Sequence, residues 1–242
     1  MLVTAALSAA FAETSTNTGK SGLTTETKYP WEHSVSAGVT LTRGNSETAL
    51  FTADFLGSKK TPENEYSFGF AGAYGNNKST ETINNYKAFG QWNHLFNERL
   101  YGYLRADALR DHVADLDYRF TIGPGVGYYF IKDSMTYLAG EAGVAFEAQH
   151  LGSKSETFAT ARLADRFEHK FNDHARLWQT AEFLPQVDEF DNYVINFEIG
   201  IETAMTKSFT LKTYVLDSYQ NRPALGRKKN DIQIVAAVGY KF

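Results

Sequence analysis

From Trp31 to Phe242 the chain alternates apolar and polar residues with a period of two, in segments too long for an ordinary soluble sheet. In the first segment Trp31, His33, Val35, Ala37, Val39 and Leu41 oppose Glu32, Ser34, Ser36, Gly38, Thr40 and Thr42. The pattern returns in Tyr193, Ile195, Phe197, Ile199 and Ile201, and it is cleanest in Ile232, Ile234, Ala236, Val238, Tyr240 and Phe242. Twelve such segments are predicted, near 31–42, 47–57, 65–75, 83–94, 99–111, 118–130, 135–149, 156–170, 174–184, 191–203, 208–219 and 230–242. Globular strands usually have about five or six residues. These are about twice as long, which suits a tilted strand crossing a bilayer.

The connectors alternate as well. Tight turns are expected at 96–98, 132–134, 172–174 and 205–207, and longer polar links at 75–82, 112–117, 150–155, 185–191 and 220–229. Short turns at one end and longer loops at the other predict an all-β fold, a transmembrane antiparallel up-and-down barrel of about twelve strands with both chain ends in the periplasm. Two junctions depart from this pattern: 43–46 is short for an outer loop, and 58–64 is long for a periplasmic turn.

Composition narrows the class. The absence of cysteine excludes disulfides and thiolate chemistry. A net charge of −4 offers no basic surplus for nucleic acid. No run of eighteen apolar residues follows the first dozen positions, so the chain is not a helical membrane protein. A soluble sandwich or lipocalin-like barrel would bury the apolar face and show water a face rich in Lys and Glu. The polar face here carries Gly, Ala, Ser, Thr and Asn with isolated charges. Aromatics sit toward the ends of the apolar face, at Trp31, Tyr66, Trp92, Phe130, Tyr193, Phe209, Tyr240 and Phe242, as interfacial girdles do. The apolar face is therefore expected to meet lipid. Asp165 and Gln179 fit poorly, because parity puts both on that face in mid-strand; a bulge near 163–166 would re-aim Asp165.

Upstream, residues 1–12 end in Ala10-Phe11-Ala12 and match the apolar stretch and cleavage site of a secretory signal; without a charged start they are expected to be a truncated signal-peptide remnant. Residues 13–30 are expected to be a flexible N-terminal segment, and 31–242 the barrel.

The run Trp31 to Gly38, followed by Thr42-Arg43-Gly44-Asn45-Ser46-Glu47-Thr48, resembles the opening of the salt-induced outer-membrane protein family. Pro223, then Lys228-Lys229-Asn230-Asp231, then Val238 to Phe242 resemble its ending. The resemblance implies a β-barrel of the Gram-negative outer membrane, an uncharacterised activity and no catalytic residues to carry over. Tyr240 and Phe242 look like the C-terminal signature by which such barrels meet their assembly machinery.

By parity the lumen receives Lys87, Arg105, Arg119, Arg162, Arg166, Arg176 and Lys212 against Glu32, Asp54, Asp107, Glu141, Glu147, Glu168, Glu182, Glu198 and Glu202. A selective pore would line its constriction with one sign. Near balance instead predicts charges paired across a narrow, largely filled lumen. The expected role is structural, or adaptation of the envelope to osmotic or salt stress. The alternative is a narrow channel for ions or small solutes.

A reading from another class is a rim hydrolase using Asp111, His112 and His150, with Asp115 and Asp117 nearby. No catalytic motif supports it, and the chain is expected not to be an enzyme. Asp188, Glu189 and Asp191 lack the spacing of a calcium loop, so no metal or cofactor is expected. Arg222, Arg227, Lys228 and Lys229, with Lys78 and Lys154 on the same side, are expected at the outer surface, where lipopolysaccharide phosphates are fitting partners.

Overall fold

The computed structural model describes residues 29–42, 48–77 and 80–242. The expected signal remnant, most of the 13–30 segment, the 43–46 link and Lys78 lie outside them. Twelve strands run in sequence: β1 Glu32–Thr42, β2 Thr48–Lys60, β3 Asn64–Asn77, β4 Thr80–Leu95, β5 Leu100–Asp111, β6 Leu116–Lys132, β7 Thr136–Leu151, β8 Lys154–Asn172, β9 Ala175–Pro185, β10 Tyr193–Ala204, β11 Phe209–Gln220 and β12 Asn230–Lys241. Each predicted segment falls on one strand. Every neighbour is antiparallel, and β12 returns to β1 to close the barrel. Closure leaves no edge strand, as a sheet in hydrocarbon requires.

The alternation resolves as lipid-facing outside and lumen-facing inside. Phe146 and Ile234 are 70% and 66% exposed, whereas Glu168 and Glu198 are 2% and 0% exposed. In β12 the apolar Ile232, Ile234, Val238 and Tyr240 are exposed and Gln233, Val235 and Ala237 between them are buried. A soluble barrel would show the reverse. The expected girdle residues Trp31, Tyr66, Trp92, Phe130, Phe209, Tyr240 and Phe242 are exposed; Tyr193 is half-buried against Phe183 and Tyr219.

The end holding both strand termini is built from one device repeated. Asn97 Oδ1 accepts the amides of Arg99 and Leu100, Asp133 Oδ1 those of Met135 and Thr136, Asn172 Oδ1 those of His174 and Ala175, and Thr206 Oγ1 those of Ser208 and Phe209. A short polar side chain that bonds backbone two and three residues on reverses the chain in the least length. The β2–β3 junction joins this group. It spans only residues 61–63, with the Asn64 amide donating to Thr61 Oγ1 at 2.9 Å, because β2 continues to Lys60. The expected long turn at 58–64 is therefore corrected.

At the opposite end the loops are shorter than expected. β7 and β8 run on until Gly152 and Ser153 alone connect them, with Gly152 at φ 61°, a left-handed value that glycine adopts freely. The strands also consume most of 75–82, leaving two residues. Among the described residues, only 186–192 and 221–229 remain as sizeable loops. The β7–β8 register is continuous from Leu151↔Lys154 to Thr136↔His169, so no bulge re-aims Asp165.

Candidate functional site: a charge network across the lumen

Strand parity delivers the expected charges to the interior, and their contacts form a connected network. Arg162 on β8 is its hub: its Nε donates to Glu182 Oε1 at 2.6 Å, and its Nη1 to Glu141 Oε2 at 2.7 Å and to the Tyr103 hydroxyl at 3.1 Å. Glu141 also accepts from Gln91 Nε2 and the Tyr101 hydroxyl, each at 2.9 Å. Arg105 forks onto Asp107 with two bonds of 2.7 Å, donates to Gln91 Oε1 at 3.0 Å and lies over the Phe89 ring. Lys87 Nζ stands 3.7 Å from Asp107. Tyr103 to Arg162, Gln91 to Glu141 and Tyr129 to Glu65 each join strands three apart, a quarter of the way round the barrel, so these bonds cut through the lumen instead of linking neighbouring strands.

A second cluster lies on the β8–β12 wall. Arg176 bridges Glu168 at 3.1 Å and Glu202 at 3.2 Å, and Glu202 also meets Lys241 at 2.8 Å and Lys212 at 4.0 Å. Nearer the loops Arg119 pairs with Glu147 at 2.9 Å and donates to Gln149. Glu198 accepts from the Trp178 indole, and Arg166 lies over the Tyr137 ring. Charges removed from bulk water need partners of this kind.

Glycines make room for the tyrosines. A Cβ on Gly125 would strike the Tyr103 ring, and one on Gly127 the Tyr101 ring. A bare strip on β6 thus lets both rings lie flat and carry their hydroxyls to Arg162 and Glu141. Sequence reasoning missed Glu65, Asp111 and Lys241 as lumen residues. Their parity was legible, since each alternates with an outward Tyr66, Arg110 or Tyr240, but their positions near strand ends suggested rim or turn.

Cavities open at both ends of the interior. A vestibule of about 810 Å³ opens at the end holding the strand termini, lined by Lys60, Glu65, Lys132, Tyr137 and Lys170 among others. A second, of about 380 Å³, opens under the loops beside Asn85, Arg227, Lys228 and Gln233. A small cavity of about 30 Å³, room for a water or two, lies among Arg105, Glu141, Arg162 and Glu182.

The rim residues do not assemble as one site. Asp111 is fully buried and accepts the Ala114 amide at 2.9 Å, capping the β5–β6 turn, and Asp115 occupies the turn itself at φ 61°. His112 is exposed. His150 lies by parity on the outward face, bonded to Ser155 Oγ at 2.7 Å and 3.6 Å from Asp117.

The acidic and basic loops meet each other. Arg222 pairs with Glu189 at 2.5 Å and Asp191 at 2.7 Å, which holds the Asp191 carboxyl below its usual range. Lys229 donates to Asn221. The expected open basic surface is corrected in part: Arg222 is engaged by carboxylates, and Arg227 and Lys228 line the outer vestibule. Among the described residues no group of three metal-ligating side chains converges.

At the seam, the amide of His33 donates to the Phe242 carbonyl at 3.2 Å and the Phe242 amide to His33 at 3.1 Å. Tyr240 packs on Phe209 and Phe242 on the outer face.

Comparisons place this geometry among outer-membrane β-barrels. The chain is similar in fold to the NanC porin, at 9% identity and TM-score 0.52 over 87% of this chain and 100% of that one. It is also similar to an outer-membrane channel from Pseudomonas putida F1, at 9% identity and TM-score 0.51 over 88% of this chain and 95% of that one. No curated protein matches it in sequence. The sequence match that extends through nearly all of the closed barrel, residues 35–242, is to the family described as protein of unknown function DUF481, and the chain belongs to that family.

Proposed function

We propose that this protein is an outer-membrane barrel with a structural or envelope-adaptive role under osmotic and salt stress, its lumen kept closed by paired charges. The observation that carries the reading is the Arg162 network, which ties two carboxylates on the neighbouring strands and a tyrosine three strands away around a cavity of about 30 Å³. Such a barrel adds a rigid, sealed wall element to the membrane, with both chain ends periplasmic. The salt association rests on the resemblance at Trp31–Gly38 and at the C-terminal segment. Outer-leaflet lipid and lipopolysaccharide phosphates are proposed partners of the loop-end cations Arg227, Lys228, Lys229 and Lys154, and the assembly machinery that of Tyr240 and Phe242. No enzymatic activity is proposed.

The test is a deletion strain of the host bacterium shifted to high salt. Reduced survival, restored by the wild-type gene, is expected; unimpaired growth and an intact permeability barrier would overturn the adaptive role. A second reading, a narrow conduit for ions or small solutes, is favoured by the two vestibules, one open at each end of the barrel. In that reading the Arg162 network opens during passage.

A further inference from the structure

The lipid-facing wall contains an acid. Asp165 lies on the outward face of β8, seven residues before the strand ends at Asn172, and Gln179 lies on the outward face of β9, four residues after it begins at Ala175. A crossing takes about 9–11 residues, so both sit well within the hydrocarbon zone. They are diagonal neighbours: Asp165 pairs with Ala181 and Gln179 with Phe167. Among the described residues, none is hydrogen-bonded to the Asp165 carboxyl or the Gln179 amide. The surface around them is recessed, because Gly140 and Ala181 flank Asp165 on the two adjoining strands. The resulting groove, about 600 Å³, is walled by Val126, Tyr128, Leu163, Phe183 and Ile195.

An acceptor and a donor exposed to hydrocarbon cost free energy until each meets a partner. Lipid tails offer none. Two barrels inserted in the same direction are related by a two-fold axis along the membrane normal, which makes any shared patch meet itself. At such an axis the Asp165 carboxyl accepts from the amide of Gln179 of the partner subunit, and the reciprocal bond forms by symmetry. The patch is self-complementary in hydrogen bonding, an acceptor and a donor two register positions apart on adjacent strands, and the small residues let the two walls approach closely. We propose that the β7–β9 wall is the interface of a homodimer in the membrane, with Asp165 and Gln179 as its reciprocal polar contact.

The chain has no cysteine, so single-cysteine cross-linking reads this directly. In intact outer membranes treated with copper phenanthroline, Ala181→Cys is expected to give a disulfide-linked species of twice the monomer mass. Phe70→Cys, on the exposed face of β3, is expected to give none. Adding Asp165→Leu and Gln179→Leu to Ala181→Cys should reduce the cross-linked fraction at least tenfold. These replacements suit hydrocarbon, so the barrel should still fold, as read by its β-sheet circular dichroism. The proposal is overturned by equal cross-linking at Phe70→Cys, by an adduct with a protein of different mass, by cross-linking undiminished in the leucine variant, or by a wild-type protein that sediments as a monomer with no adduct.

Discussion

Arg162 contacts two carboxylates on the strands either side of it and a tyrosine three strands away. Its guanidinium presents several donors in one plane, a demand that a lysine ammonium meets only in part. Removing it leaves Glu141 and Glu182 buried without their cation, a loss of about 3–5 kcal/mol by the behaviour of buried pairs. Arg162→Ala should therefore lower the urea midpoint of the detergent-solubilised barrel substantially, with Arg162→Lys in between; a midpoint unchanged in Arg162→Ala would contradict the role. A different signature belongs to Asp133 in the β6–β7 turn. The amides of Thr136 and Met135 hold its carboxyl below the usual range. With the folded value below the unfolded one, its contribution is present above the unfolded pKa of about 3.9 and is lost as pH falls through the folded value. Asp133→Asn should be less stable than wild type at pH 7, and the difference should shrink toward zero below about pH 4. A gap that persists in acid would contradict this.

At the scale of elements, β6 is specialised by subtraction. Gly123, Gly125 and Gly127 occupy successive inward positions on a strand whose outward positions include Ile122, Val126 and Tyr128. Gly127→Ala forces the Tyr101 ring off the strip and with it the hydroxyl bonded to Glu141. Overpacking of this kind costs about 1–3 kcal/mol, measurable by the same urea titration, whereas Gly90→Ala should be near neutral because nothing lies within 4 Å of its added carbon. The strands themselves were legible in the sequence, since period-two alternation depends only on which residues face lipid. Their ends were not. β7, β8 and the residues around 75–82 continue as ladder past the point where the apolar pattern stops, because hydrogen bonding in the loop region no longer needs hydrocarbon on either face. The same limit hid Asp111, whose inward parity is plain in β5 but whose neighbours His112 and Asp115 look like loop.

For the whole molecule, the sequence conveyed that lumen charges nearly balance, and it could not convey who pairs with whom. Bonds such as Gln91 to Glu141 and Tyr129 to Glu65 depend on which non-adjacent strands come within reach through the lumen, and that follows from closure and tilt. Nor could parity show that Arg222 turns to Glu189 and Asp191 and leaves the basic surface smaller than composition suggested. The proposed function requires a barrel whose two vestibules are separated by a closed waist. Single-channel recording in a planar bilayer tests that most directly. Wild-type protein should insert without resolvable conductance steps, and Arg162→Ala combined with Tyr103→Ala should produce them. Large, regular steps from the wild-type barrel, unchanged in the double variant, would contradict a lumen closed at Arg162.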